Sequence, residues 1–324
     1  MRILTGIQPT NNLHIGNLFG ALIPMVNLQQ EAELTMMIAD LHAITVEQDP
    51  KMLRANIRFA LATYLACGLD PAKTTIFQQS SVGEHAELAW IMQTITYMGE
   101  AERMTQYKDK STGKARVSVG LFTYPDLMAA DILIHQAEVV PVGKDQKQHL
   151  ELTQTLAERF NTKFGETFTV PKPLIHSSAA KILSLSDPLK KMSKSDPSAK
   201  SYISVMDGEA EIAAKIRSAV TDSERLITAD EARPGLYNLL TIFSLVTGKS
   251  QRELAAHYQD KGSKALKDDL TEALVAYLSP IQLGVREYLE NDATLERVLT
   301  AGRRKAQAVA SKTMEQVKAA MGLL

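Results

Sequence analysis

Through the first 150 residues, apolar runs of strand length alternate with segments of helical spacing, and this alternation limits the possible folds more than any other feature. Residues 3–7, 34–39, 74–77 and 138–142 read as buried strands. Between them, Leu18, Leu22, Val26 and Leu28, then Leu53, Ile57, Leu61, Tyr64 and Leu65 over residues 51–67, then Leu88, Trp90, Ile91, Ile95 and Met98 over 81–107, recur with the period of a helix. A further helix is expected to begin near Pro125, since proline is tolerated in a first turn. Strands separated by helices must be parallel and joined by right-handed crossovers. The sequence therefore predicts an α/β fold, a Rossmann-like doubly wound parallel sheet.

The first of these turns is also the first candidate site. Residues 6–17, Gly-Ile-Gln-Pro-Thr-Asn-Asn-Leu-His-Ile-Gly-Asn, lead from a strand through a Pro/Asn turn into a helix. Unpaired backbone N–H groups and the positive end of the helix dipole collect there and attract phosphate. His14 adds a donor, and Gly16 lets a ligand approach the backbone. Taken alone the stretch is ordinary turn chemistry. Polar residues closing an apolar strand, as in Asp40-Leu41-His42-Ala43, point into the ligand crevice of such sheets.

Composition removes whole classes. The single cysteine, Cys67, excludes an internal disulfide and a paired-cysteine metal site, and its apolar neighbours suggest a buried bystander. A formal net charge of -1 gives no global pull toward nucleic acid. No signal peptide and no bilayer-length apolar stretch is present, so a cytoplasmic protein is expected. Gly-x-x-x-x-Gly-Lys, His-Glu-x-x-His and Gly-x-Ser-x-Gly are all absent.

Trp90 reads as core or interface. The glycine-containing 108–114 segment reads as a charged surface loop, and residues 171–173, Pro-Lys-Pro, as a connection. Beyond residue 188 strand signals are few. Segments 209–219, 234–247, 250–259, 263–290 and 293–320 carry helical spacing, so an all-helical second domain is expected over 188–292, after a catalytic domain over 1–187 on which residues 293–324 pack back. Arg297, Arg303, Arg304, Lys305, Lys312 and Lys318 on the last segment could face RNA, though such a run is usually a solvated face.

His14-Ile15-Gly16-Asn17 and Lys191-Met192-Ser193-Lys194-Ser195 stand in the order of the two motifs of the class I aminoacyl-tRNA synthetases, and the chain resembles that family. Residues 6–10, 40–45, 123–125 with 127–133, 140–143 with 145–149, and 195–197 are similar to bacterial tryptophanyl-tRNA synthetases, and the likeness runs essentially end to end along the chain. The resemblance implies activation of L-tryptophan by ATP with magnesium, transfer to tRNA(Trp), and a homodimer.

It also implies roles for residues. Gln8, Pro9, Thr10, Gly16 and Asn17 would cradle ATP, with Gly143, Lys144 and Asp145 on the adenosine side and the backbone at Ile182 meeting adenine. His14 would support the phosphates. Lys191, Ser193, Lys194 and Ser195, with Met192 between them, would take up charge on departing pyrophosphate. No metal ligand is implied, magnesium being held by phosphates and water. Asp131, an acid amid Met128, Val140, Val142 and Leu4, would accept the indole N–H, an expectation set against a plain helix-surface aspartate. Tyr124 and Gln146 would meet the α-ammonium group, with His42 nearby.

Three positions depart from the family's pattern: Asn11 where glycine is frequent, Lys144 where an acid is usual, and Gln154 where arginine is common. Two rival readings stay open, a tyrosyl-tRNA synthetase and a synthetase-derived tryptophan-binding regulatory protein without charging activity.

Overall fold

The computed structural model describes residues 1–9, 13–105, 107, 116–143, 146–174, 181–194 and 196–324. Thr10, Asn11, residues 108–114, Lys144, Asp145 and Ser195 lie outside the described residues.

Strands β1 (Arg2–Ile7), β2 (Glu33–Ile38), β3 (Thr74–Gln78), β4 (Val139–Pro141) and β5 (Lys172–Leu174) form one parallel sheet in the order β3-β2-β1-β4-β5. The register runs Leu4 to Thr35, Ile3 to Val139 and Val140 to Pro173. The order reverses between β1 and β4, so the carboxyl ends of these two strands open a crevice. The fifth strand is a correction: Lys172 and Pro173, within residues 171–173 expected as a connection, enter the sheet with Leu174. Pro173 lacks an N–H, and only an edge strand tolerates that loss.

The first helix, α1 (residues 15–28), is not uniform. Ile15–Asn17 passes through a widened turn, Leu18–Leu22, in which the Ile23 N–H reaches the carbonyl of Leu18, and then continues as Ile23–Leu28. Pro24 has no N–H and its ring would strike the carbonyl four residues back, so the chain opens by one residue ahead of it. Next come α2 (Asp40–Ala43), α3 (Pro50–Ala66), whose amino end Asp49 caps by accepting from the Met52 N–H, and α4 (Glu84–Ile95).

The long helix expected over 81–107 is interrupted. Arg159, from α7 (Lys147–Phe164), donates to the Ile95 carbonyl at 2.7 Å, and Thr96 turns extended, its hydroxyl donating to Asp126. The chain resumes only in the short α5 (Met98–Ala101). Helix α6 (Val119–Ile134) starts six residues earlier than Pro125, because the Ser118 hydroxyl caps it by accepting from the Leu121 N–H; Pro125 is carried inside the helix. Trp90 is 68% exposed, which removes its core reading and leaves the interface one.

The carboxyl half is helical: α8 (Glu209–Ser218), α9 (Pro234–Thr247), α10 (Gln251–Tyr258), α11 (Gly262–Glu290) and α12 (Asp292–Met321). One apolar core runs without a break from one face of the sheet (Ile3, Leu18, Leu61) into this half (Leu185, Ile203, Leu239, Leu278). The other face holds Phe77, Leu88, Leu133, Phe160 and, from α12, Met314 and Val317. Helix α12 thus returns to the sheet, approaching β3 so closely that a Cβ at Gly302 would lie 1.8 Å from the Ile76 carbonyl oxygen.

Polar rings cross the second core. His85 and His135 lie against each other and against Phe77, ring centroids 5.1 Å apart and 5.6 and 5.3 Å from the Phe77 ring, and both are buried. Burial, and then the His85 ring beside it, draws the His135 pKa down to about 3.

Two outcomes follow from this packing. Gly302→Val forces α12 off β3 and lowers stability by about 4 kcal/mol or more in urea titrations; a loss under about 1 kcal/mol would contradict the close approach. His135 stays neutral when folded but takes up a proton below about pH 6.5 when unfolded, so the unfolded chain binds more protons between about pH 6.5 and 3. Stability must therefore fall as pH drops through that window, and His135→Gln must flatten the fall; an equal slope in both proteins would refute it.

Candidate active site at the sheet's switch point

His14 stands at the amino end of α1. Its carbonyl accepts from the N–H groups of Asn17 and Leu18 at 2.8 and 3.0 Å, and its side chain is buried. Pro9 is buried, whereas Gln8 and Asn17 are exposed. The segment is stitched to a distant one: the Val205 N–H donates to the Leu13 carbonyl at 2.8 Å, and the Ile15 N–H to the Ile203 carbonyl at 3.0 Å. That second segment is itself fixed. Asp207 accepts from Lys215 at 2.5 Å and from the Ser204 N–H, and Gln282 of α11 donates to the carbonyls of Val205 and Asp207.

The second motif comes to the same place. Residues 182–192 fold back on themselves, with the Met192 N–H donating to the Ile182 carbonyl at 3.0 Å and the Ser184 N–H to the Lys190 carbonyl at 2.9 Å. Asn238 of α9, itself buried, grips both the N–H and the carbonyl of Leu183. A Cβ at Gly16 would lie 2.9 Å from the His14 ring, so glycine leaves that ring its place, and 3.6 Å from the Met192 Cβ, so the two motifs pass within van der Waals contact. Burial first, then the charges of Lys191 and Lys194, hold the His14 pKa down to about 4. At neutral pH the ring is an uncharged donor facing two cations. Burial also lowers the Lys194 ammonium below its usual value. This face is built to receive several negative charges at once.

Across the crevice, Asp131 on α6 is 1% exposed, which rules out the helix-surface reading. Its Oδ2 accepts from His42 Nε2 at 2.7 Å; its Oδ1 accepts from Gln79 Nε2 and from His85 Nδ1, each at 2.7 Å. Burial alone would raise its pKa, but the hydrogen bonds from His42 and His85 outweigh that and hold the carboxyl well below the ordinary range. An ionised acid sealed from water is thus available as an acceptor.

Beside it Leu4, Val140, Ile132 and Leu150 form a small apolar cluster of their own, with Met128 and Val142 packed against it. Tyr124, on the same helix as Asp131, pairs its hydroxyl with His149 at 2.8 Å and lies edge-on to His42, 6.2 Å between ring centroids. Gly143 and Gln146 follow β4, Gly143 exposed and Gln146 half-buried.

Thus His14, Gly16, Lys191, Met192 and Lys194 come together, and so do Asp131 and His42. Thr10, Lys144, Asp145 and Ser195, all named from the sequence, lie outside the described residues. Sequence reasoning missed Gln79, His85, His135 and Asn238. Gln79 could have been found, because it closes β3 as Asp40 and His42 close β2; His85 and His135 carry no local signal. Gln154, one of the departures, donates to the Pro171 carbonyl at 2.8 Å, away from this chemistry. No group of three or more His, Cys, Asp or Glu able to hold a metal ion occurs among the described residues. No helix among them is long and apolar enough to cross a membrane.

Known proteins resemble the chain along nearly its whole length. Tryptophan–tRNA ligase 2 of Streptomyces avermitilis is 52% identical over 327 residues, an alignment covering 100% of this chain and 97% of the relative. Tryptophanyl-tRNA synthetase from Mycoplasma pneumoniae superposes with a TM-score of 0.91 at 37% identity, covering 99% of this chain and 97% of that one. The enzyme from Campylobacter jejuni, solved complexed with ADP and tryptophan, gives 0.88 at 37% identity, covering 99% and 100%. The sequence model of the family described as tRNA synthetases class I (W and Y) matches residues 1–279, and to that family the chain belongs.

Proposed function

We propose that the protein is a tryptophan–tRNA ligase that joins L-tryptophan to ATP, releasing pyrophosphate, and then passes the tryptophanyl group to tRNA(Trp). The observation that carries this reading is the meeting, at the sheet's switch point, of the His14 helix end with Lys191 and Lys194, whose charges act on the His14 ring while Gly16 passes Met192.

In the first step a carboxylate oxygen of tryptophan attacks the α-phosphorus. The bond from that phosphorus to its bridging oxygen breaks, and pyrophosphate leaves with the electron pair. Positioning and charge stabilisation suffice for such a displacement. Uncharged His14 donates to a phosphate oxygen, and the backbone N–H groups at the start of α1 point the same way. Lys191 and Lys194, with hydroxyls of Ser193 and Ser195, neutralise the departing charge. Gln8, Pro9, Thr10, Gly16 and Asn17 hold the nucleotide from β1; Gly143, Lys144, Asp145 and Ile182 hold its adenosine. Magnesium enters as part of the ATP substrate, carried by phosphates and water. In the second step a terminal ribose hydroxyl of tRNA attacks the adenylate carbonyl and AMP departs.

Asp131 accepts the indole N–H, within walls made by Leu4, Met128, Val140 and Val142. Tyr124 and Gln146 orient the α-ammonium group, with His42 bracing Asp131. The exposed Arg297, Arg303, Arg304, Lys305 and Lys312 of α12 offer tRNA a basic face, and the helices over 188–292 its anticodon-binding platform. The reaction belongs to the cytoplasm, where translation uses the product.

A homodimer completes the reading. Val119 and Ile44 are 76% and 57% exposed, and the Ser118 hydroxyl, donating to the Thr45 carbonyl, holds these two apolar side chains in one region. Trp90, Tyr97 and Met98 are exposed on and just after α4, the helix packed on α6. Large exposed apolar side chains in this number mark an association surface.

Exchange of labelled pyrophosphate into ATP tests the activity: it must depend on tryptophan, and dependence on tyrosine alone, or tryptophan binding without exchange, would overturn the proposal. Lys191→Ala and Lys194→Ala should each lower kcat by about 10²-fold while leaving tryptophan affinity within about threefold. Asp131→Asn should raise the tryptophan KM by about 10²-fold with the ATP KM nearly unchanged; a parallel rise in both would remove its assigned role. Val119→Asp combined with Trp90→Glu should convert the dimer to a monomer in sedimentation, and an unchanged sedimentation coefficient would contradict the interface.

A further inference from the structure

Asp131 is gripped from behind by a chain of rings that the adenylation chemistry does not use. His85 Nδ1 lies 2.7 Å from Asp131 Oδ1, and its other nitrogen, Nε2, lies 3.2 Å from His135 Nε2. His85 is 0% exposed and His135 7%. A carboxylate only accepts, so His85 Nδ1 carries a hydrogen. In neutral rings the order of donation is then forced: His135 Nε2–H donates to His85 Nε2, and His85 Nδ1–H donates to Asp131. Gln79 is oriented in the same way. Its Oε1 accepts from the Leu41 N–H at 3.1 Å, which leaves its amide nitrogen to face Asp131.

The donors around the carboxylate are therefore committed. Oδ1 accepts from both Gln79 and His85, while among the described residues Oδ2 accepts only from His42. We propose that His85, held from behind by His135, is a positioning residue that fixes Asp131 as an acceptor with one lone pair left on Oδ2, and that this arrangement selects a donor-only indole over a phenol. The inference rests on the tryptophan reading above and deepens it.

The discrimination is a matter of matching. An indole N–H donates once and asks for nothing in return. A tyrosine hydroxyl can also donate to Oδ2, but its own oxygen then needs a donor, and the His42, His85 and Gln79 N–H groups that reach the carboxylate are spent on Asp131. A buried acceptor without a partner is costly. Loss of His85 would free Oδ1 and loosen Asp131, so that the carboxylate could turn and Gln79 could turn its amide toward a phenol oxygen. His135 acts one ring further back, by keeping the His85 hydrogen on Nδ1.

The test compares kcat and KM for tryptophan, tyrosine and ATP, by pyrophosphate exchange, in His85→Leu, His85→Asn, His135→Leu and His135→Gln. Asparagine keeps an N–H near the Nδ1 position, and glutamine keeps one near Nε2. The expected result is that His85→Leu raises the tryptophan KM and lowers the tryptophan-to-tyrosine ratio of kcat/KM by about tenfold or more, with the ATP KM unchanged. His85→Asn restores most of the ratio. His135→Leu shifts the ratio in the same direction by a smaller factor, and His135→Gln brings it back.

An unchanged ratio, a common rise in all three KM values, or an asparagine variant as impaired as the leucine one would overturn the inference. If His85→Leu fails to fold, the two His135 variants decide by the same ratio. A wild-type protein without tryptophan-dependent exchange overturns the underlying reading as well. Wild-type exchange that is sensitive to Asp131→Asn but indifferent to both histidines overturns this inference alone.

Discussion

A carboxylate removed from water keeps its charge only if enough donors replace the solvent, and at Asp131 three side chains do so. His42 comes from the end of β2, Gln79 from the end of β3 and His85 from the first turns of α4, so the charge is held by the sheet itself. Removing any one donor alters both the charge and the position of the acid. Much of the surrounding architecture serves this convergence: β2 and β3 in register, α4 packed on α6, and Phe77 flanking the two histidines behind.

The His14 side of the crevice depends on a different device. Segments far apart in sequence are brought together by backbone hydrogen bonds, Leu13 and Ile15 to residues 203–205, and Gly16 passes Met192 in van der Waals contact. The Lys215–Asp207 pair and Gln282 hold the far partner from the helical half. The helical half therefore supports the geometry around His14, beyond the tRNA-facing role proposed for it. The two lysines beside His14 keep its ring uncharged at neutral pH, reinforcing the larger effect of burial.

What the sequence made legible was whatever repeats or clusters locally. The alternation of apolar runs and helical spacing exposed four strands and the α/β class, and the spacing beyond residue 208 marked every long helix of the second half. His14, Gly16 and Lys191 were legible because each sits in a short dense motif. Features set by distant partners were not. The break after Ile95 is made by Arg159 from another helix, the start of α6 by Ser118 and not by its proline, and β5 by an edge that tolerates Pro173. His85 and His135 each stand as an unremarked histidine on an apolar helix; only the fold aligns them behind Asp131.

The central claim is that Asp131 chooses the amino acid through one hydrogen bond from the indole. Calorimetric binding of L-tryptophan against β-(3-benzothienyl)alanine measures it most directly, because sulfur replaces the N–H with little change of shape. The account predicts that the sulfur analogue binds about 30-fold or more weaker, the loss expected when a buried charged acceptor is left without its donor. Equal affinities for the two ligands would contradict it.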